Sequence, residues 1–155
     1  MRRRDHDYTG PAIYLVTVCS HQRAHLFANS IGGIVQLSPV GRIVSDRWNK
    51  IPQRFAAVSV DEYTVIPDHI HGIIIVREQV GARHASPLRV GTRPTLRSAS
   101  LGAIIGSFKS SVTKAVNELR HTPGAAVWQR NYYEQIVMNL DAAREYVRNN
   151  RPTHT

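Results

Sequence analysis

The chain has 155 residues and is 42% hydrophobic, which suits one folded domain with its own core and excludes a disordered chain. Twenty Lys and Arg against 11 Asp and Glu give a formal charge of +9, which points to a polyanionic partner such as nucleic acid without separating DNA from RNA, or an enzyme from a binder. No apolar run approaches the roughly 18–20 residues that span a bilayer, and the basic start Met1–Asp7 leads into no secretory core, so a cytoplasmic protein with no membrane contact is expected.

Residues 12–19 are rich in β-branched and aromatic side chains, follow the turn signal Gly10-Pro11, and predict a strand. A basic turn at His21-Gln22-Arg23 follows, and Leu26-Phe27 lead into a hairpin or loop around Gly32-Gly33. Ser38-Pro39 reads as a helix cap with proline in the first turn. Val40, Ile43, Val44, Trp48 and Ile51 then recur at helical spacing, and Pro52 is expected to end that helix. Residues 57–66 return to strand character, Pro67-Asp68 breaks it, and residues 69–76 read as a central strand covered on both faces. Residues 77–98 carry five arginines among Pro, Gly and Ser and predict a flexible basic loop. Ser100 could cap a second helix with Leu101, Ile104, Ile105, Phe108, Val112, Val116 and Leu119 on one face, stopped by Pro123-Gly124. Residues 127–138 are short and extended or irregular, and Asn139 caps a last helix running to about Asn150. The order predicts a single α+β domain over residues 1–155. It is ferredoxin- or RRM-like, with a mainly antiparallel sheet, helices on one face and a C-terminal helix.

His69 and His71 sit two apart in a strand, so both imidazoles should project from one side, where two nitrogens can share a divalent cation. Asp68 could orient one of the rings. The plain alternative is two unrelated sheet histidines. Tyr146 and Asn150 form an i, i+4 pair, so an Asn oxygen could serve as a third ligand with a phenol one turn away; a surface Tyr and a terminal Asn cap explain the same pair. Trp128-Gln129-Arg130-Asn131-Tyr132-Tyr133 combines aromatics that stack on bases with a cation for phosphate; the plain alternative is a packing corner with Trp128 and one Tyr in the core, and at least one ring should belong there. Other chemistries are poorly served. There is no G-x-x-x-x-G-K loop, the single cysteine, Cys19, lies in an apolar strand without a base, and Asp61 and Glu62 should fall on opposite strand faces.

With these residues in view the chain resembles the HUH single-tyrosine transposases, and most closely the REP-associated tyrosine transposases. The likeness rests on Tyr14–Cys19 with Arg23 and Leu26-Phe27, on Val65–Gly72 around the His pair, on Leu101–Ser110, on Trp128–Glu134, and on Tyr146–Asn150. One departure is Arg151, which precedes Pro152 where close relatives place proline directly after the Asn. The resemblance implies His69, His71 and Asn150 as ligands of Mg²⁺ or Mn²⁺. It makes Tyr146 the nucleophile for nicking and strand transfer through a 5′-phosphotyrosine, with Tyr132 and Tyr133 as fallbacks. It implies single-stranded and hairpin DNA as partner, held by Arg23, Lys109, Lys114, Trp128, Arg130, Tyr132 and Tyr133. Some relatives are homodimers in which one chain's tyrosine serves the other's metal site and others are monomers, and both arrangements stay open here. Two other readings fit the composition: a non-catalytic single-strand-binding module with an RRM-like fold, and a metal-dependent nuclease that uses water.

Overall fold

The computed structural model describes residues 12–77 and 100–149. Of the expected basic loop only Arg77 falls within them, and Asn150 lies outside.

Strand β1 (Ala12–Cys19) buries Tyr14, Val16 and Val18 on one face by simple alternation. A 3-10 turn at His21–Arg23 leads to a separate hairpin of β2 (Ala28–Ile31) and β3 (Ile34–Leu37). Its turn takes positive φ at both Gly32 and Gly33, 60° and 80°, as a two-residue hairpin loop of matching twist requires. Helix α1 (Pro39–Asn49) begins where the Ser38 hydroxyl accepts from the Gly41 amide at 3.0 Å and donates to the Leu26 carbonyl at 2.6 Å. This helix stops at Asn49, before Pro52. That proline instead occupies the first turn of a short helix α2 (Ile51–Arg54), where its missing N–H costs no hydrogen bond.

Strands β4 (Val58–Ile66) and β5 (His69–Val76) follow, then helix α3 (Leu101–Arg120), strand β6 (Tyr133–Ile136) and helix α4 (Leu140–Asn149). Helix α3 is capped by the Ser100 hydroxyl and ends on His121 in the left-handed region at φ 56°, ahead of Pro123. Its buried stripe ends at Val116; Leu119, one turn on, is half exposed. Asn139 caps α4, its side-chain oxygen accepting from the Ala142 amide at 3.0 Å.

The main sheet runs β4-β5-β1-β6 with every pair antiparallel. With α1 and α3 as crossovers this is the β-α-β-β-α-β arrangement of the ferredoxin-like fold. One face of the sheet, with Tyr14, Val16, Val18, Ile70 and Ile74, packs on α1 and α3. The other face, with Ile73 at its centre, packs on Ala143 and Val147 of α4. Strand β5 is therefore covered on both sides, and its odd-numbered residues, which include both histidines, face the α4 side.

Gly72 lies between the His pair and this core. A Cβ there would come 2.6 Å from the Trp48 ring and 2.6 Å from the Tyr63 Cβ. We expect Gly72→Ala to lower stability by about 1–3 kcal/mol through overpacking, read by urea denaturation. An unchanged midpoint would mean that Trp48 repacks freely. Among the described residues no helix is long and apolar enough to cross a membrane.

Candidate active site

Strand alternation sets His69 and His71 side by side, with ring centroids 5.4 Å apart. Asp68, at the turn into β5, holds the first ring: its carboxylate lies 2.8 Å from His69 Nδ1. Its other oxygen accepts from Arg23 Nε at 3.0 Å, with Arg23 Nη2 at 2.9 Å. Burial pushes the Asp68 carboxyl upward, but the hydrogen bonds from His69 and Arg23 outweigh it and keep the group below the usual carboxylate range. An ionised carboxylate only accepts, so Nδ1 of His69 carries a proton and points it at Asp68. His71 is buried. Burial and the neighbouring His69 depress its pKa to about 4, so the ring is neutral at pH 7. Among the described residues its Nε2 is buried without a hydrogen-bond partner.

Helix α4 brings the phenol to this pair. Ala143 and Val147 face the sheet and pack on Ile73, while the buried Thr64 hydroxyl donates to the Val147 carbonyl at 3.3 Å. Tyr146 is half exposed, and its ring centroid lies 6.0 Å from that of His71 at an interplanar angle of 44°. Residues 75 positions apart in the chain are thus adjacent in space.

The DNA-contact candidates divide sharply. Register places Thr64, His71, Thr17 and Tyr133 in one row across β4, β5, β1 and β6, so Tyr133 shares the face of the His pair and is 58% exposed. Arg130 is exposed; Arg23 is exposed but paired with Asp68. Lys109 reaches the carbonyls of Gln129, Arg130 and Asn131 at 2.9, 3.1 and 3.4 Å. Its three ammonium donors thus hold the aromatic segment in place rather than await a phosphate. Trp128 requires a correction. It is buried against Phe27 and Phe108, at centroid distances of 5.2 and 5.6 Å, and has no face left for a base. Tyr132 packs against the α1–α3 core, away from the His pair. Lys114 is exposed on that same side, lining a cleft of about 1000 Å³ between α1–α2 and α3 with Arg47, Lys50 and Arg54.

Sequence reasoning missed what fastens α4. Asp61 and Glu62 do not fall on opposite faces: the β4–β5 register shifts between Val60 and Tyr63, so both oppose Ile73 in a bulge. Both then reach the terminal helix. Asp61 accepts from Arg144 Nε and Nη2, each at 2.8 Å, and Glu62 from Arg148 Nε at 3.0 Å. The i, i+4 spacing of Arg144 and Arg148 around Tyr146 was the available signal.

The donors present suit a hard or borderline divalent ion. Two imidazoles lie together, one oriented by a carboxylate and the other with a buried nitrogen lacking a partner, which leaves the remaining positions to oxygen ligands. Among the described residues no group of three or more His, Cys, Asp or Glu converges.

No family model matches the chain. A protein of Haemophilus influenzae (strain ATCC 51907 / DSM 11121 / KW20 / Rd), itself described only as uncharacterized, is 32% identical over 156 residues, which cover 97% of this chain and 86% of that protein. Among solved structures, a REP-associated tyrosine transposase bound to a REP hairpin superposes with a TM-score of 0.53 at 16% identity, over 95% of this chain and 68% of that one. A candidate transposase from Deinococcus radiodurans R1 gives 0.50 at 15% identity, over 97% of this chain and 98% of that one.

Proposed function

The chain belongs to one family with that Haemophilus influenzae protein and has the fold of a REP-associated tyrosine transposase, and on this premise we propose that it nicks and rejoins single-stranded DNA through a 5′-phosphotyrosine at Tyr146. The observation that carries the reading is the Tyr146 ring 6.0 Å from His71, beside an imidazole nitrogen buried without a partner. A sheet that merely bound nucleic acid would have no use for a costly unsatisfied nitrogen beside a phenol.

Tyr146 loses its proton to solvent and its oxygen attacks phosphorus. The bond from phosphorus to the 3′ oxygen breaks, that oxygen takes up a proton, and the 5′ phosphate stays on the tyrosine. The new ester is close in energy to the one broken, so a second 3′ hydroxyl can reverse the step and join strands without a nucleotide cofactor. His69 and His71, with Asn150 as third ligand, would hold Mg²⁺ or Mn²⁺. When bound, such a cation offsets charge on the non-bridging phosphate oxygens. Asp68 fixes the His69 ring, and Arg23 keeps Asp68 ionised.

Tyr133 and Arg130 would receive the single strand beside the site, Tyr133 by stacking and Arg130 through phosphate. The hairpin bound by the transposase of similar fold supports hairpin DNA as the substrate. Tyr133→Ala should weaken binding of a short single-stranded oligonucleotide by about 1–3 kcal/mol in fluorescence anisotropy; native affinity in that variant would remove Tyr133 from the DNA path.

The deciding experiment incubates the protein with end-labelled hairpin DNA bearing a single-stranded flank, in Mn²⁺, and resolves the products on a denaturing gel. A band of protein covalently joined to DNA is expected. Cleaved DNA without that band would instead favour a nuclease that activates water.

A further inference from the structure

The two ion pairs between the β4 bulge and α4 are placed to control where the nucleophile points. The bulge sets two carboxylates against Ile73, the residue on which Ala143 and Val147 pack. With about 3.6 residues per turn, Arg144 and Arg148 share one flank of α4, Val147 faces the sheet, and Tyr146 lies on the other flank. The helix rests on the sheet along a narrow apolar line, which resists separation but not roll. A roll about that line would swing Tyr146 away from His71. The bidentate Asp61–Arg144 pair, the Glu62–Arg148 pair one turn later and the Thr64 hydroxyl on the Val147 carbonyl all act on the β4 side and oppose it.

We propose that Asp61, Glu62, Arg144 and Arg148 are positioning residues that lock the tyrosine helix over the His pair. This rests on the tyrosine mechanism proposed above. The pairs are otherwise hard to account for: a regular strand would send Asp61 and Glu62 to opposite faces, and the extra residue brings both to the helix that carries the phenol.

Charge exchange tests it with two readouts, the rate of covalent adduct formation and the hydrogen exchange of α4 amides. Arg144→Asp should slow adduct formation at least tenfold and speed exchange over residues 143–149 at least tenfold, while hairpin affinity stays within threefold. Asp61→Arg combined with Arg144→Asp should bring both readouts back to within threefold of native. If Arg144→Asp does not fold, Arg148→Gln breaks only the more exposed rung and should move both readouts the same way by less. Unchanged exchange in the single variants, or a reversed pair that recovers neither readout, overturns the proposal. Absence of adduct from the native protein would sink the tyrosine mechanism instead, and the exchange measurement would still decide the clamp.

Discussion

Tyr146→Phe is expected to abolish the covalent protein–DNA adduct while leaving hairpin affinity within about twofold of native. The substitution removes one oxygen. The ring of Tyr146 keeps its place because α4 is fixed by Ala143, Val147 and the two arginine pairs, none of which involves the phenol oxygen. What disappears is the atom that bonds to phosphorus, and loss of a nucleophile in other enzymes that form covalent intermediates costs on the order of 10³-fold or more in rate. Tyr133→Phe provides the control. It keeps an aromatic surface on the same face, so both adduct formation and binding should persist. Adduct from Tyr146→Phe, detected on a denaturing gel and mapped by mass spectrometry to another tyrosine, would transfer the nucleophile's role. Nicking without adduct in both variants would favour the water-activating mechanism.

The elements near the His pair were readable in the sequence because their causes are local. Alternation along β5 needs only the sequence to place His69 and His71 on one side, and the Ser38, Ser100 and Asn139 caps announce their helices by side-chain chemistry alone. Three features depended on partners distant in the chain and were not readable. The bulge at Asp61-Glu62 exists in relation to the register of β5, which a strand read by itself does not reveal. Lys109 looks like a free cation on the polar side of its helix, yet carbonyls twenty residues later occupy it. Trp128 sits in a stretch that pairs with the end of β1, through the Ser20–Trp128 bridge and the Gln129 amide on the Cys19 carbonyl, and that pairing turns its ring into the core instead of toward DNA. Pro52 misled for a different reason: proline bars a helix interior but is welcome in a first turn, so it can mark the start of a helix as well as the end of one.

His71 should display opposite effects on stability and on activity. Its ring is buried, neutral at pH 7, and its Nε2 has no hydrogen-bond partner among the described residues. An unsatisfied buried nitrogen of this kind costs about 1–3 kcal/mol. His71→Leu removes that cost in a similar volume, so the metal-free variant should unfold at an equal or higher urea concentration than the metal-free native protein. Adduct formation in Mn²⁺ should nevertheless fall by at least ~10²-fold, because half of the paired imidazole site is gone. The divergence has a thermodynamic counterpart. A ligand that binds only the folded state stabilises it by RT ln(1 + [L]/Kd), about 2.7 kcal/mol at one hundred times Kd. Titration with Mn²⁺ should therefore raise the melting temperature of the native protein but not of His71→Leu, and a chelator should reverse the rise. Asp68→Asn, which leaves both rings in place and removes only the charge that orients His69, should shift the titration toward weaker binding by about 10–100-fold. Equal stabilisation of native and His71→Leu proteins by Mn²⁺ would separate the metal from the histidines, and Tyr146 beside them would then need another electrophilic partner to account for any cleavage.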